Sequence, residues 1–390
     1  MGSRSSSTNS DTLYFNEEHD MLRKTIADFV DKEINPHMDK WEEGGAPLHE
    51  IFKKMGNLGL LGIRYDPRWG GQGLNYWFDL VFCEEICHIQ GMGLPMAIAV
   101  QTHMATPALH DFGSDLLKEQ YLKPAVKGEM IASIGVTEPG AGSDVAALQT
   151  RARKDGDSWV INGTKTFITN GVWADYCVLL CRTDDKPGYH SYSLILVPKN
   201  TPGFTLGKKL DKMGMRCSDT ALLYFDNVRV PLENTIGEEG EGFILQMKQF
   251  QHERFYALPG CYIVAGDVVN MTIDYIKQRV VFGKPLVAKQ VLRFRLVEYI
   301  TEIELLKQLT YHIVRMKEAG LDVTREVTMG KLYAARLVRR VVDGCLQMFG
   351  GMGFMNETLI SRYYRDARLI SIGGGADEVM CEVLTRLEGL

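Results

Sequence analysis

The sequence predicts an α+β chain with an all-helical N-terminal domain, an antiparallel β-barrel-like middle domain and a C-terminal four-helix bundle. Three observations predict it. Apolar residues recur at helical spacing before about residue 130 and again beyond Gly242. Between these stretches lie short β-branched runs separated by turn dipeptides. The length of 390 residues exceeds what one hydrophobic core supports. Domains are therefore expected at residues 15–130, 131–240 and 241–390, after a disordered tail at 1–14.

The tail opens MGSRSSSTNS, Ser-rich and without apolar anchors. It reads as an unstructured segment, an expression remnant or a trimmed targeting segment. Asn16 then caps a helix in which Leu22, Ile26, Phe29 and Val30 share a face, and Pro36 is expected to stop it. A Gly-rich loop follows at Gly70, Gly71 and Gly73. In the middle domain Trp159, Val160 and Ile161 precede Asn162-Gly163, and residues 164–169 precede Asn170-Gly171, which is hairpin grammar. Further strands are expected at 193–197 and 221–230, bounded by Pro202-Gly203 and Pro231. Beyond Gly242 the stripes Val269, Ile273, Ile276 and Val338, Val342, Cys345, Phe349 face a bundle core, and Pro259-Gly260 should kink or break the helix that begins there. No repeat of fixed period is present.

Composition excludes several function classes. A net charge of −5 without a long Lys/Arg run disfavours nucleic-acid binding. No apolar run reaches the roughly 20 residues a spanning helix needs, and no signal peptide opens the sequence, so a soluble, non-secreted protein is expected. Eight cysteines without a CxxC framework suit a reducing compartment. Cys83 and Cys87 with His88 suggest a metal site, but a second ligand pair is missing, and buried structural thiols with no metal are the preferred reading.

Four segments carry chemistry. GVTEPGAGSD at residues 135–144 offers glycines for close backbone approach to a ligand, but GxGxxG fails at Val145 and no βαβ unit surrounds it. FITNG follows at 167–171, RVVFGKPL at 279–286 and QMFGGMGF at 347–354. In this order the four strings resemble the acyl-CoA dehydrogenase family, from about residue 15 to the end of the chain.

That resemblance implies FAD held between the middle and C-terminal domains and across a subunit boundary. Ile134, Val136, Thr137 and Ser143 match one flavin segment, with Ser143 also facing CoA. Phe167, Ile168 and Thr169 match the second, with Phe167 in place of the more usual Trp. Arg279 matches the residue that reaches across a subunit interface to the FAD pyrophosphate, accompanied by Phe282 and Gln290. Gln347, Gly350 and Gly351 match the adenine end, and Ala376, Asp377 and Glu378 match further flavin contacts. A homodimer or homotetramer is implied, with an electron-transfer flavoprotein as acceptor.

Removing the proton α to a thioester needs a carboxylate. Many family members carry it in a YEG segment near the C-terminus, where this chain has Gly373, Gly374 and Gly375. The backbone N–H of Gly374 still suits the thioester carbonyl. A branch that includes the isovaleryl-CoA and long-chain enzymes places its Glu in a helix as an ER pair, and Glu253-Arg254 matches that alternative. Glu253 is thus the expected base, and Asp377 or Glu378 the second choice. Gln251, His252, Arg254 and Gly375 are expected beside the substrate. The glycines suggest room for a branch at C3, and QTHMATPAL at 101–109 resembles citronellyl-CoA dehydrogenases, which favours a branched or medium/long-chain acyl group. An acyl-CoA oxidase on the same framework is one alternative. A non-catalytic acyl-CoA- or flavin-binding assembly factor is the other. The compartment is expected to be the mitochondrial matrix in a eukaryote or the cytoplasm in a bacterium.

Overall fold

In a computed structural model, residues 13–390 are described. The expected tail falls mostly outside them, but Tyr14 is packed, its ring 5.3 Å from Trp77 and 4.9 Å from Tyr311. The N-terminal region is helical: α1 (Glu17–Phe29), α2 (Met38–Gly44), α3 (Leu48–Asn57), α4 (Tyr76–Ile86), α5 (Gly93–Ala99), α6 (Thr106–Phe112), α7 (Asp115–Leu117) and α8 (Lys123–Val126). Asn16 caps α1 by accepting from the His19 N–H at 3.2 Å. Pro36 does not stop the helical path. A π-helical turn (Val30–Ile34) and a 3-10 turn (Asn35–His37) carry the chain into α2. Proline is tolerated in that first-turn position because its missing N–H has no partner to lose there.

The middle region contains β1 (Ala132–Gly135), β2 (Arg151–Asp155), β3 (Ser158–Thr169), β4 (Tyr176–Arg182), β5 (Tyr192–Pro198), β6 (Phe204–Lys209), β7 (Thr220–Pro231) and β8 (Thr235–Ile236). They form one sheet in the order β6-β7-β3-β2-β4-β5-β8, with β1 attached to β4. Most pairs are antiparallel, but β1 runs parallel to β4, and β2 meets β4 in parallel at one register position. The sheet is therefore mixed.

Asn162-Gly163 is not a turn. The β2–β3 hairpin closes instead around Gly156, and β3 continues through Asn162 with a register irregularity between Ile161 and Gly163. A Cβ on Gly163 would stand 2.4 Å from Thr150 Oγ1, so the glycine answers a close approach of the chain just before β2. Asn170 does turn the chain, at φ 63°.

The C-terminal region consists of α9 (Gly242–Gln278), the two-residue strands β9 (Val280–Val281) and β10 (Lys284–Pro285), α10 (Gln290–Glu318), α11 (Thr324–Phe349), α12 (Leu359–Ala367) and α13 (Asp377–Leu387). The long helices α9, α10 and α11 pack on one another, and α12 and α13 pack on α11. Pro259 does not break α9, which runs for 37 residues through it. An interior proline costs about 3 kcal/mol or more. Here Leu258, Pro259, Gly260 and Cys261 are all buried against neighbouring helices, and that packing offsets the lost hydrogen bond.

Candidate active site

The segment after β1 is held from below by a buried ion pair. Lys165, fully buried on β3, donates from Nζ to Glu138 Oε1 at 2.8 Å and to the Val136 carbonyl at 2.9 Å. Glu138 also accepts from the backbone N–H groups of Gln149 and Thr150. Burial pushes the Glu138 carboxyl up, yet the Lys165 ammonium and these donors hold it below its usual value. The Thr166 N–H donates to the Thr137 carbonyl at 2.9 Å, which places residues 136–137 beside 166–169. An irregularity between Lys165 and Ile168 then puts Phe167 at φ 60° and turns its ring outward, 67 % exposed. Strain at an exposed aromatic fits a stacking role toward a planar ligand. Ile168 is buried, Ile134, Val136, Thr137 and Thr169 are half-buried, and Ser143 is exposed.

The second half of the site lies where α9 meets the chain before α13. Gly374 and Gly375 have φ of 65° and 95°. A Cβ on Gly374 would stand 3.0 Å from Glu253 Oε1, so the Glu253 carboxylate occupies the space that a side chain at 374 would enter. Among the described residues the Glu253 side chain has no hydrogen bond and no ion pair. Burial pushes its carboxyl above the usual range, opposed by the charges of Arg254 and Lys331. A free carboxylate with a raised pKa is what a general base requires. The glycines leave less room than expected: a Cβ on Gly375 would meet Met380 Cε at 2.5 Å, and only Gly373 faces looser surroundings.

The flanking residues divide. Arg254 is buried, and among the described residues its Nε and the buried Gln251 Oε1 have no partner. His252 turns away toward Arg64, with Nδ1 and Nη2 3.3 Å apart. Asp377 is buried and accepts long contacts from Arg336 and Arg339 at 3.7 and 3.8 Å, while Glu378 is exposed and Ala376 half-buried.

The third group sits at one end of the bundle. Arg279, Phe282 and Gln290 are exposed, Phe282 at 96 %, and so are Gln347, Gly350 and Gly351. The Tyr275 and Phe349 rings stack at 4.2 Å, which ties the end of α9 to the end of α11. Among the described residues no hydrogen bond or ion pair joins this group to residues 134–143 or 167–169. Exposed glycines at 350 and 351, with nothing within 4 Å of a Cβ, and an exposed arginine and aromatic nearby suit a nucleotide diphosphate.

Several site-forming residues escaped the sequence reading. Glu138 and Lys165 lie in segments read only for their neighbours; the signal was a lysine inside a β-branched strand. Asp79, His103 and Arg64 form a buried polar cluster, with Arg64 Nε 3.0 Å and His103 Nε2 3.2 Å from Asp79. Burial would raise the Asp79 carboxyl, but His103 and Arg64 hold it well below its usual range. Cys83 Sγ lies 3.4 Å from His103 Nε2, and Cys87 meets the Tyr256 hydroxyl, so neither pairs with His88, which contacts Asp267 at 2.8 Å. Within the 101–109 segment, Gln101 donates to the Ala125 and Met130 carbonyls and accepts from the Ala132 N–H, which braces β1.

Helical domains flank a sheet, a half-buried carboxylate without a side-chain partner among the described residues lies over a glycine turn, and an exposed aromatic stands on a strained strand, an arrangement suited to taking a proton beside a planar ligand. Comparison with known proteins makes the class specific. The N-terminal, middle and C-terminal domain models of acyl-CoA dehydrogenase match residues 16–129, 133–228 and 240–387. The mitochondrial short-chain specific acyl-CoA dehydrogenase of Rattus norvegicus is 37 % identical over 93 % of this chain and 88 % of its own. The mitochondrial long-chain specific enzyme of Sus scrofa is 33 % identical over 95 % and 86 %. A crystal structure of a probable acyl-CoA dehydrogenase from Mycobacterium abscessus superposes with a TM-score of 0.93 at 40 % identity, covering 96 % of this chain and all of the other. The chain belongs to the acyl-CoA dehydrogenase family, a family of flavoproteins, and is an enzyme of acyl-CoA dehydrogenation.

Proposed function

We propose that this chain binds FAD and oxidises an acyl-CoA to its trans-2-enoyl-CoA with Glu253 as the base. The observation that carries the reading is the position of the Glu253 carboxylate, 3.0 Å from where a Cβ on Gly374 would stand. A carboxylate from α9 and the peptide of Gly374 thereby converge on one point. Glu253 takes the α-proton, and the Gly374 N–H donates to the thioester oxygen as negative charge builds there. Arg254, buried beside Glu253, opposes the effect of burial and favours the ionised carboxylate. FAD, when bound, supplies the acceptor for the β-hydride.

Cofactor contacts are assigned to Ile134, Val136, Thr137, Ser143, Phe167, Ile168 and Thr169 from one protomer. Arg279, Phe282, Gln290, Gln347, Gly350 and Gly351 reach it across a subunit boundary, and Ala376, Asp377 and Glu378 complete the set. Ser143, Gln251, His252, Arg254 and Gly375 are assigned to substrate, with His252 acting through its packing on Arg64. The exposed face of α10, with Val291, Phe294, Val297 and Leu305 each about 60 % exposed, supports a homodimer or homotetramer. Reduced enzyme passes its electrons to an electron-transfer flavoprotein. No helix among the described residues is long and apolar enough to cross a membrane. A branched or medium/long-chain acyl group is the preferred substrate class, because the base stands on α9 as in the isovaleryl and long-chain branch.

The test is anaerobic titration of the FAD-loaded protein with isovaleryl-, citronellyl-, butyryl- and palmitoyl-CoA, following bleaching of the oxidised flavin. Bleaching by a branched or long substrate at stoichiometric ligand supports the reading. FAD that no acyl-CoA bleaches would refute it and favour a non-catalytic binder. Rapid re-oxidation by dioxygen after bleaching would identify an oxidase instead.

A further inference from the structure

The glycine turn has no side chain of its own to fix its shape, and two of its residues have positive φ. Its conformation must be imposed by neighbours. Lys331 on α11 is one of them: the residue is 1 % exposed, and its Nζ donates to the Gly375 carbonyl. From the other side, Arg254 Nη2 stands 3.9 Å from where a Gly375 Cβ would be. The turn is thus gripped between α9 and α11.

Lys331 occupies a position where an apolar residue would ordinarily stand, on the buried stripe Val327, Lys331, Ala334, Val338. Among the described residues it makes no ion pair. A lysine stripped of water without a carboxylate in contact is costly unless its ammonium serves a specific geometry. The groups facing it are Asp377 at the start of α13, Cys261, Glu253 and Arg254 on α9, all around the same turn.

We propose that Lys331 is a positioning residue of the active site, anchoring the Gly375 carbonyl so that the Gly374 N–H is aimed at the thioester oxygen. The inference rests on the reading of Gly374 as the carbonyl donor and Glu253 as the base. Its ammonium has a second consequence. The cations facing Glu253 are Arg254 and Lys331, so neutralising Lys331 leaves Arg254 alone to favour the ionised base.

The test uses the FAD-loaded enzyme with Lys331→Met, which keeps the length and removes the donor, and Lys331→Arg, which keeps donor and charge. The first readout is the infrared carbonyl stretch of a bound acyl-CoA in a Glu253→Gln background, where the ligand is not consumed. Lys331→Met is expected to lose at least half of the downshift that binding produces, and Lys331→Arg to retain it. The second is the limiting rate of flavin reduction against pH with Glu253 intact. Loss of a complete oxyanion donor costs roughly 10²–10³-fold, so a misaimed one should slow reduction by roughly 10- to 100-fold. The rise of rate with pH should also move upward. Should Lys331→Met lose its FAD, Lys331→Gln takes its place. A neutral variant with the full carbonyl downshift, or with wild-type reduction rate and pH profile, would overturn the proposal. If Glu253→Gln reduces flavin at the wild-type rate, the base reading fails, and the infrared readout, taken then with the 2-enoyl-CoA, which the flavin cannot oxidise further, still decides the role of Lys331.

Discussion

Gly374→Ala probes the convergence of base and turn with the smallest possible change. At φ 65° an alanine is held in the left-handed region, a cost of about 1–2 kcal/mol. The added methyl would also sit 3.0 Å from Glu253 Oε1, inside ordinary contact distance, so the carboxylate must shift by a few tenths of an ångström. A misplacement of ~1 Å in a reacting group can cost ~10²-fold in rate, so the smaller shift predicts about a 10-fold fall in the limiting rate of flavin reduction. FAD content should be unchanged, because the methyl points at the base. Gly373→Ala is the control, since its Cβ would meet only Leu369 at 3.7 Å. Anaerobic stopped-flow reduction, with denaturant unfolding run on the same samples, separates the rate effect from the strain. The reasoning is refuted if Gly374→Ala reduces at the wild-type rate, or if Gly373→Ala slows reduction equally.

Other perturbations address the rest of the site. Lys165→Met leaves Glu138 buried without its cation, a loss of about 3–5 kcal/mol, and should release FAD; flavin fluorescence after gel filtration measures it. Arg279→Ala should weaken FAD retention most at low protein concentration, where assembly fails, and a retention curve independent of concentration would argue that the site is complete in one protomer. Because burial pushes the Glu253 carboxyl up, the wild-type reduction rate should be low in acid and rise through a midpoint above the usual range for glutamate. A flat profile from pH 5 to 8 would contradict that assignment.

Long, strongly patterned segments were legible in the sequence. The stripes Val269, Ile273, Ile276 and Val338, Val342, Cys345 fall on α9 and α11, and residues 193–197 and 221–230 fall within β5 and β7. Local dipeptides were read less well. Asn162-Gly163 carries a hairpin signature, yet its glycine is required by the closeness of Thr150, a contact with the segment before β2 that no local pattern encodes. Pro259-Gly260 suggests a kink or a break, but the burial that keeps α9 continuous comes from distant helices. The site shows the same division. Motif strings marked the segments at 135–144, 167–171, 279–286 and 347–354, whereas the residues that hold them in place did not stand out. Lys165 and Lys331 each look like a solvated charge until the fold shows them enclosed. Glu253 and Gly374 are 121 positions apart in the sequence, and only the packing of α9 against the turn before α13 brings them together.

The central claim is that Glu253 abstracts the α-proton, and Glu253→Gln tests it most directly, because glutamine keeps the shape of the side chain and removes its basicity. The measurement is anaerobic flavin reduction by the best acyl-CoA, paired with exchange of the substrate α-hydrogen in deuterium oxide. The account predicts that Glu253→Gln binds FAD and acyl-CoA normally, loses at least ~10³-fold in reduction rate, within the range by which general bases act, and abolishes α-exchange. Reduction and exchange persisting at wild-type rates in Glu253→Gln would contradict it and return the role of base to Asp377 or Glu378.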